Sequence, residues 1–347
     1  MSHALIVLAQ TPTFLERLGD PFTGANFLIN FLVLGALYSL LAIGFVITFK
    51  ATQVLNFAHG AIAALGAYFT FLVAVEWDIP GRFFPADHPI NSTSEAFLSW
   101  ELFGWLVALF LALLMAAFLG WVLERLFIEP MVGEPLFSVA IITLGLEIML
   151  RTLYNDAIGV VDRQVGDPFL FKSWQIPIGD QSVTLLYSQP FIVLAAIVSG
   201  AGLAWFFRSR TGVAMRATAF DQEAAMVQGI PVNRIFALAW MIAAVLAGIA
   251  GTMFALAPCP CGATPLLPFI AFRALPAVVV GGLDSITGAV VGGFLVAFIE
   301  IFLGTYFGFL SEYVGSGFGA VIPYVVMFVF LIFKPYGLFG TEEIRRV

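Results

Sequence analysis

The feature that most constrains this chain is a series of long apolar runs that carry almost no charge. A membrane helix needs roughly 20 apolar residues, with a range of about 17–25. Candidate spans are 26–48, 60–76, 101–123, 135–153, 190–207, 234–257, 286–306 and 319–333. A further piece, 267–281, is short and holds Pro268, Arg273 and Pro276. It reads either as a steep span or as a re-entrant half-helix, since irregular backbone at that depth survives only inside protein or beside a wet cavity. Charged residues make up 11% of the chain, against about 25% in a soluble domain. That is too few to solvate a globule, whereas a surface facing lipid needs none. The expected fold is all-α: a polytopic transmembrane helical bundle of about eight to nine segments, forming one membrane domain over residues 1–347.

Several function classes drop out. The net charge is −7 and no basic cluster exists, which argues against a nucleic-acid partner. Cys259 and Cys261 sit in a Pro-Cys-Pro-Cys run. Two cysteines make neither a disulfide framework nor a zinc set, and we read them as apolar filler. His3, His59 and His88 lie far apart, so no metal centre is expected. There is no Gly-x-Ser-x-Gly elbow and no His-Glu-x-x-His helix, so no catalytic residue is assigned. The nearest approach to a phosphate-cradling Gly-x-x-x-x-Gly-Lys-Ser loop runs from Gly166 to Ser173, with Phe171 where the second glycine belongs. No cofactor is expected, and any ATP hydrolysis must come from separate chains. Residues 1–25 lack a basic start, and Glu16, Arg17 and Asp20 interrupt their apolar stretch, so no cleaved signal is expected.

Lysine and arginine placement sets orientation. With the loop 208–233 in the cytoplasm, alternation puts Lys50, Arg125, Arg208, Arg210, Arg216, Arg234, Lys334, Arg345 and Arg346 inside. Arg17, Arg82, Arg163 and Lys172 then fall outside. This predicts an N-terminus outside and a C-terminus in the cytoplasm. Two outer loops, about 77–100 and 154–189, carry Trp77, Phe83, Phe84, Trp174 and Pro177, which suits interfacial packing. Residues 59–71 and 287–298 both open with small residues after His59-Gly60-Ala61 and Thr287-Gly288-Ala289. They read as a weak repeat or as coincidence in an Ala/Gly-rich chain.

The loop 208–233 is the most informative stretch. Residues 213–228 lack Pro and Gly and alternate small with polar, which predicts one short amphipathic helix. Thr211 suits its N-cap, and Gly229 and Pro231 suit its end. Such a helix has little apolar area of its own and must dock on its own chain or on a partner.

Glu223-Ala224-Ala225 followed by Gly229 resembles the EAA motif of ABC importer permeases. The usual Leu-Pro ending is absent. The variant Arg-Ala-x-Ala-x-Asp-x-x-x-Ala of the branched-chain amino acid subclass is similar to Arg216, Ala217, Ala219, Asp221 and Ala225. Asn56-Phe57-Ala58-His59-Gly60 resembles the matching motif of LivH-type permeases. Gly281-Gly282-Leu283-Asp284-Ser285 through Ala289 resembles their Gly-Gly-x-Gly-Ser-x-x-Gly-Ala block, departing at Leu283-Asp284 where Ile-Gly is usual. Lys334 through Gly340 looks like their closing motif. The resemblance covers roughly residues 26–340. It implies a second, homologous permease subunit, two ABC ATPase subunits and a periplasmic or extracellular solute-binding protein, in a bacterial inner membrane. It implies that Arg216, Asp221, Glu223, Ala224, Ala225 and Gly229 dock the ATPase. Branched-chain or other hydrophobic amino acids are the solutes it implies first. Urea, short amides and aromatic acids stay open, as do an ATP-independent transporter or channel and a non-permeating scaffold.

The remaining polar residues have readings of their own. Asn56 and His59, at the start of a span, must find partners or line a wet cavity. They either contact solute or tie two helices together. Gly281 and Gly282, with Asp284 and Ser285, either open backbone groups to a permeant or let helices pack closely. Charge inside a span is costly, about 2.5–3.5 kcal/mol at a helix centre. Glu147 and Arg151 share a helix face at i, i+4 and are expected to pair, and Arg273 and Glu300 to pair across helices.

Overall fold

The computed structural model describes residues 18–83, 100–131, 134–159, 162–169, 171–256, 262–308, 315 and 317–340. Cys259, Cys261, His3, His88, Arg17, Phe84, Arg345 and Arg346 lie outside these residues. Seven helical stretches are long and apolar enough to cross a membrane, and two more apolar helices are shorter, all among the described residues. The chain is an all-α polytopic membrane protein.

The first helix, α1 (Pro21–Thr52), is started by Asp20, whose carboxylate accepts the Phe22 and Thr23 amides at 3.2 and 3.1 Å. The Thr23 hydroxyl donates to it as well, and these bonds hold the Asp20 carboxyl below the usual carboxylate range. Then come α2 (His59–Phe71), prolonged by a π turn to Glu76, and the short α3 (Ile79–Phe83). Helix α4 (Trp100–Leu123) runs on through a π turn and a 3-10 turn to Met131. Helix α5 (Leu136–Ile158) precedes a hairpin of β1 (Ser173–Ile178) and β2 (Gln181–Leu186), paired antiparallel with Ser173 opposite Leu186. The aromatic outer loop predicts no such hairpin. Trp174 closes on Tyr187 beside it, with ring centroids 4.2 Å apart. Helix α6 (Ser188–Arg208) leads into the loop that the sequence singles out.

That loop corrects the sequence reading. It holds two helices, α7 (Arg210–Phe220) and α8 (Gln222–Val227), in place of one over 213–228. Ser209, not Thr211, caps the first, accepting the Gly212 amide at 3.2 Å. The break falls at Asp221, which is extended and accepts the Ala224 amide at 2.9 Å. A short carboxylate that bonds a nearby backbone amide competes with helix continuation. The absence of Pro and Gly did not reveal this. Gly229 then turns the chain with φ +79°, the left-handed region that suits glycine.

Helix α9 (Val232–Leu256) crosses next. A 3-10 turn (Leu267–Phe269) opens α10 (Ile270–Gly281), and together they cover about 24 Å. That is short of the roughly 30 Å hydrocarbon core. The irregular stretch 262–266 leads into it: its Thr264 carbonyl accepts the Tyr154 hydroxyl at 2.8 Å, and Arg163 bridges to Ala263. Helices α11 (Ile286–Tyr306) and α12 (Phe318–Phe333) complete the bundle.

Helices α1, α2 and α9 form the centre, with α11 and α10 against α1 and with α4 against α9. Most of α1 is buried, whereas α6 and α12 turn apolar side chains such as Ile197, Trp205, Phe328 and Ile332 outward. In lipid no hydrophobic force drives helices together, so association rests on close packing. Small residues supply it. Gly66 lies against Gly248, and a methyl group on Gly251 would strike the Ala63 carbonyl. The Thr70 and Thr252 hydroxyls, 2.9 Å apart, lock the same crossing. Overpacking costs about 1–3 kcal/mol, so Gly251→Ala should lower the thermal unfolding temperature in detergent. Gly200→Ala, with open space around it, should leave that temperature unchanged or raise it slightly; equal effects of the two substitutions would refute this account of the contact.

Candidate functional site

Three blocks singled out in the sequence meet on the face where α1 ends. Lys50, Arg216 and Asp284 line a cavity of 660 Å³ there with Phe49, Tyr336 and Gly340. The segment after α12 folds over the end of α10: the Leu338 and Phe339 amides donate to the Val280 and Gly281 carbonyls at 2.8 and 3.1 Å. Gly282 has φ +108° and lies against the backbone of Gly340, so a side chain would be strained and obstructed. Gly281 and Gly288 bring their backbones together, and Ser285 caps α11 by accepting the Gly288 amide at 3.0 Å. Leu283 and Asp284 put side chains into the cavity wall at the place where the family block departs.

The helices α7 and α8 sit at the rim of this face. Arg216 donates from Nη1 to the Phe207 carbonyl at 2.8 Å and so ties α7 to the end of α6. Met215, Thr218 and Ala225 turn inward and are buried. Asp221, Glu223, Ala224 and Gly229 are exposed. Phe220 is 94% exposed and Val227 85%, an unusual fate for large apolar side chains outside a lipid-facing surface.

Asn56 and His59 lie elsewhere. The connection between α1 and α2 turns back into the bundle, so that His59 packs on Phe45, ring centroids 4.6 Å apart, and against Gly44. Gly44 is eight residues, or about 12 Å, above the end of α1. Thr143 on α5 pins the connection: its hydroxyl donates to the Leu55 carbonyl at 3.2 Å, and the Phe57 amide approaches it at 3.3 Å. Asn56 Oδ1 accepts the Ala58 amide at 3.1 Å, but its Nδ2 has no partner among the described residues. Neither His59 nitrogen is hydrogen-bonded among the described residues, the Leu41 carbonyl being beside the ring but outside hydrogen-bond geometry. Both residues are almost wholly buried. Gly60 presses on the Pro268 carbonyl, so the start of α2 meets the start of the α10 segment inside the membrane.

Arg151 Nε lies 2.8 Å from Glu147 Oε1, an ion pair whose alignment falls short of a hydrogen bond. The Arg151 guanidinium stands 4.9 Å over the Phe269 ring. Arg273 Nη2 donates to Glu300 Oε1 at 2.5 Å, and the Tyr38 hydroxyl donates to Glu300 Oε2 at 2.7 Å. Tyr38 and Glu300 are each fourteen residues, or about 21 Å, from the helix ends on the Lys50 face. Tyr324 donates to the Phe272 carbonyl at 2.9 Å nearby. Sequence reasoning passed over Tyr38 and Thr143, because a tyrosine or threonine in a span is unremarkable until its partner is known. It also missed Glu124, buried with Oε1 unpartnered in the π turn of α4, because the span 101–123 ends one residue short of it.

Residues 27–333 match the model of the family described as the branched-chain amino acid transport system permease component. The chain belongs to that family. Its relatives include the high-affinity branched-chain amino acid transport system permease protein LivH of Salmonella typhimurium, 28% identical over 324 residues, 92% of this chain and 96% of that one. BraD of Pseudomonas aeruginosa is 28% identical over 92% of this chain and 97% of its own length. The probable LivH of Methanocaldococcus jannaschii is 26% identical over 94% and 95%. This permease is thus a transporter subunit and not an enzyme. It is a multi-pass inner-membrane protein of the ABC importer type, which works with ATPase and solute-binding partners in general.

Glu300 makes the permease sensitive at one point. Glu300→Ala strips Arg273 of its anion, and the loss should fall below the roughly 3–5 kcal/mol of a fully buried pair, since part of Arg273 is open. Detergent unfolding should show this drop, and a joint Arg273→Met, Glu300→Leu replacement should recover most of it. A joint variant as unstable as Glu300→Ala alone would mean that the charges do more than neutralise each other.

Proposed function

We propose that this permease carries branched-chain or other hydrophobic amino acids inward, pairing with a second, homologous permease and with two ATPase subunits that grip α7 and α8. The face bearing Lys50 and Arg216 is cytoplasmic, α1 enters from the outside, and the C-terminal segment ends inside. A periplasmic or extracellular binding protein delivers solute to the opposite face. The observation that carries the reading is the exposed tip of the 209–229 segment. Phe220, Met226 and Val227 offer apolar surface to water while Met215, Thr218 and Ala225 anchor the same segment to the spans. A lever needs both features: a foot fixed in the machine and a head shaped for the part that pushes it.

In this reading ATPase closure moves α7 and α8 as a unit, because Ser209 and Asp221 cap both helices and Arg216 holds α7 to α6. The motion reaches α1, α6 and α9, which α7 touches. The cavity between Lys50, Arg216 and Asp284 lies where those parts converge, at the inner end of the path. Asn56, His59, Gly281, Gly282 and Ser285 belong to the path walls whose packing changes as it opens.

The test is uptake of labelled leucine into proteoliposomes that hold the assembled importer. Glu223→Ala and Gly229→Val should each reduce uptake about ten-fold, a coupling loss near 1.4 kcal/mol, with solute-stimulated ATP hydrolysis lost or no longer linked to uptake. Normal uptake and stimulation in both variants would remove the lever role. A cysteine placed at Phe220 should react with an impermeant thiol reagent only from the cytoplasmic side; labelling from outside would reverse the orientation and end the importer reading.

A further inference from the structure

On the face opposite the lever, a second cavity of 730 Å³ reaches down to Arg273. Its wall is apolar: Phe254, Leu266, Leu267, Phe269 and Ile270. Among the described residues that line it, Arg273 is the one basic side chain and Asp162 the one acidic side chain. The volume falls within the range of about 300–1,000 Å³ typical of small-molecule sites.

The Arg273–Glu300 pair is lopsided in a way that a purely structural pair is not. Glu300 is buried, and each of its oxygens accepts a short bond, one from Tyr38 and one from Arg273. Arg273 uses Nη2 for Glu300 and keeps 39% of its side chain open, while its Nε is buried without a partner among the described residues. A guanidinium has five N–H donors in a planar fork. The anion is satisfied and the cation is not. An arginine whose side chain is part-open and lines a cavity is fitted to accept a second carboxylate. The apolar wall beside it fits an aliphatic side chain, with Phe269 steadied by Arg151 over its ring. Asp162, which lines the same cavity, offers the opposite charge.

We infer that this outer cavity is a solute site for a zwitterionic aliphatic amino acid, with Arg273 taking its carboxylate, Asp162 its ammonium group, and Leu266, Leu267 and Ile270 its side chain. Glu300 and Tyr38 are positioning residues that hold the guanidinium in place. The inference rests on the amino-acid reading above and adds the point on this chain where that solute is held.

The experiment uses the full chain in lipid nanodiscs, with Cys259 and Cys261 replaced by serine and Leu266→Cys as reporter, since Leu266 lines the cavity and is exposed. L-leucine should protect the reporter from a thiol reagent, and L-leucinamide and isoamylamine, which lack the carboxylate, should protect far less. Arg273→Lys keeps the charge but loses the fork, and should raise the half-protecting leucine concentration about ten-fold. Asp162→Asn should erase the preference for leucine over 4-methylpentanoate, which has no ammonium group. Equal protection by leucine and leucinamide, or an Arg273→Lys response equal to the parent, would overturn the site. If Arg273→Lys fails to fold, Asp162→Asn, at an exposed position, decides by the same criterion. Leucine uptake by the assembled importer is measured alongside. Uptake without any protection defeats the cavity inference and leaves the transport reading standing; protection without uptake does the reverse.

Discussion

Inside the hydrocarbon layer there is no water to take up an unpaired polar group, and nearly every specific feature of this permease answers to that constraint. Glu300 is tolerable at mid-depth because Tyr38 and Arg273 both donate to it. The turn between α1 and α2 is tolerable because Thr143 reaches it from α5 and Asn56 bonds its own backbone. The threonines at 70 and 252 satisfy each other. Among the described residues the constraint is left unmet at Asn56 Nδ2, both His59 nitrogens, Glu124 Oε1, Trp240 Nε1 and Arg273 Nε, and these lie in different parts of the bundle.

The two cavities divide the molecule into ends with different chemistry. One end gathers Lys50, Arg216 and Asp284 around glycine turns in which backbones touch. Backbone contacts of that kind leave little room to deform. The other end is walled by aliphatic and aromatic side chains with a single arginine at its floor. Between them α1, α2 and α9 cross through Gly66, Gly248 and Gly251 with no room to compress.

Much of the fold was legible in the sequence because lipid leaves few options. A long apolar run has one stable form in a membrane, so the spans could be read from hydropathy alone, with ends that shift by a few residues, as α1 does by reaching Pro21 and Thr52. The Glu147–Arg151 contact was legible because i, i+4 spacing on a helix fixes proximity. The motif blocks pointed to the family because their residues are unusual in a membrane chain. The hairpin at 173–186 and the break at Asp221 were not legible. The first depends on a pairing between segments with no strong alternation, and the second on one carboxylate bonding an amide three residues on.

What the sequence by itself determined is the class of object: an all-helical membrane permease with a helical loop between two spans and charges that demand partners. Local rules suffice for that, since helix formation and span length depend on residues near in the chain. Only the tertiary structure decided which partners are met. It set Tyr38, 262 residues away along the chain, against the Arg273–Glu300 pair expected from the charges, left part of Arg273 open on a cavity, and buried His59 without a hydrogen-bond partner among the described residues. The physical reason is that satisfaction of a polar group is a property of its three-dimensional surroundings, and no spacing along the chain encodes it.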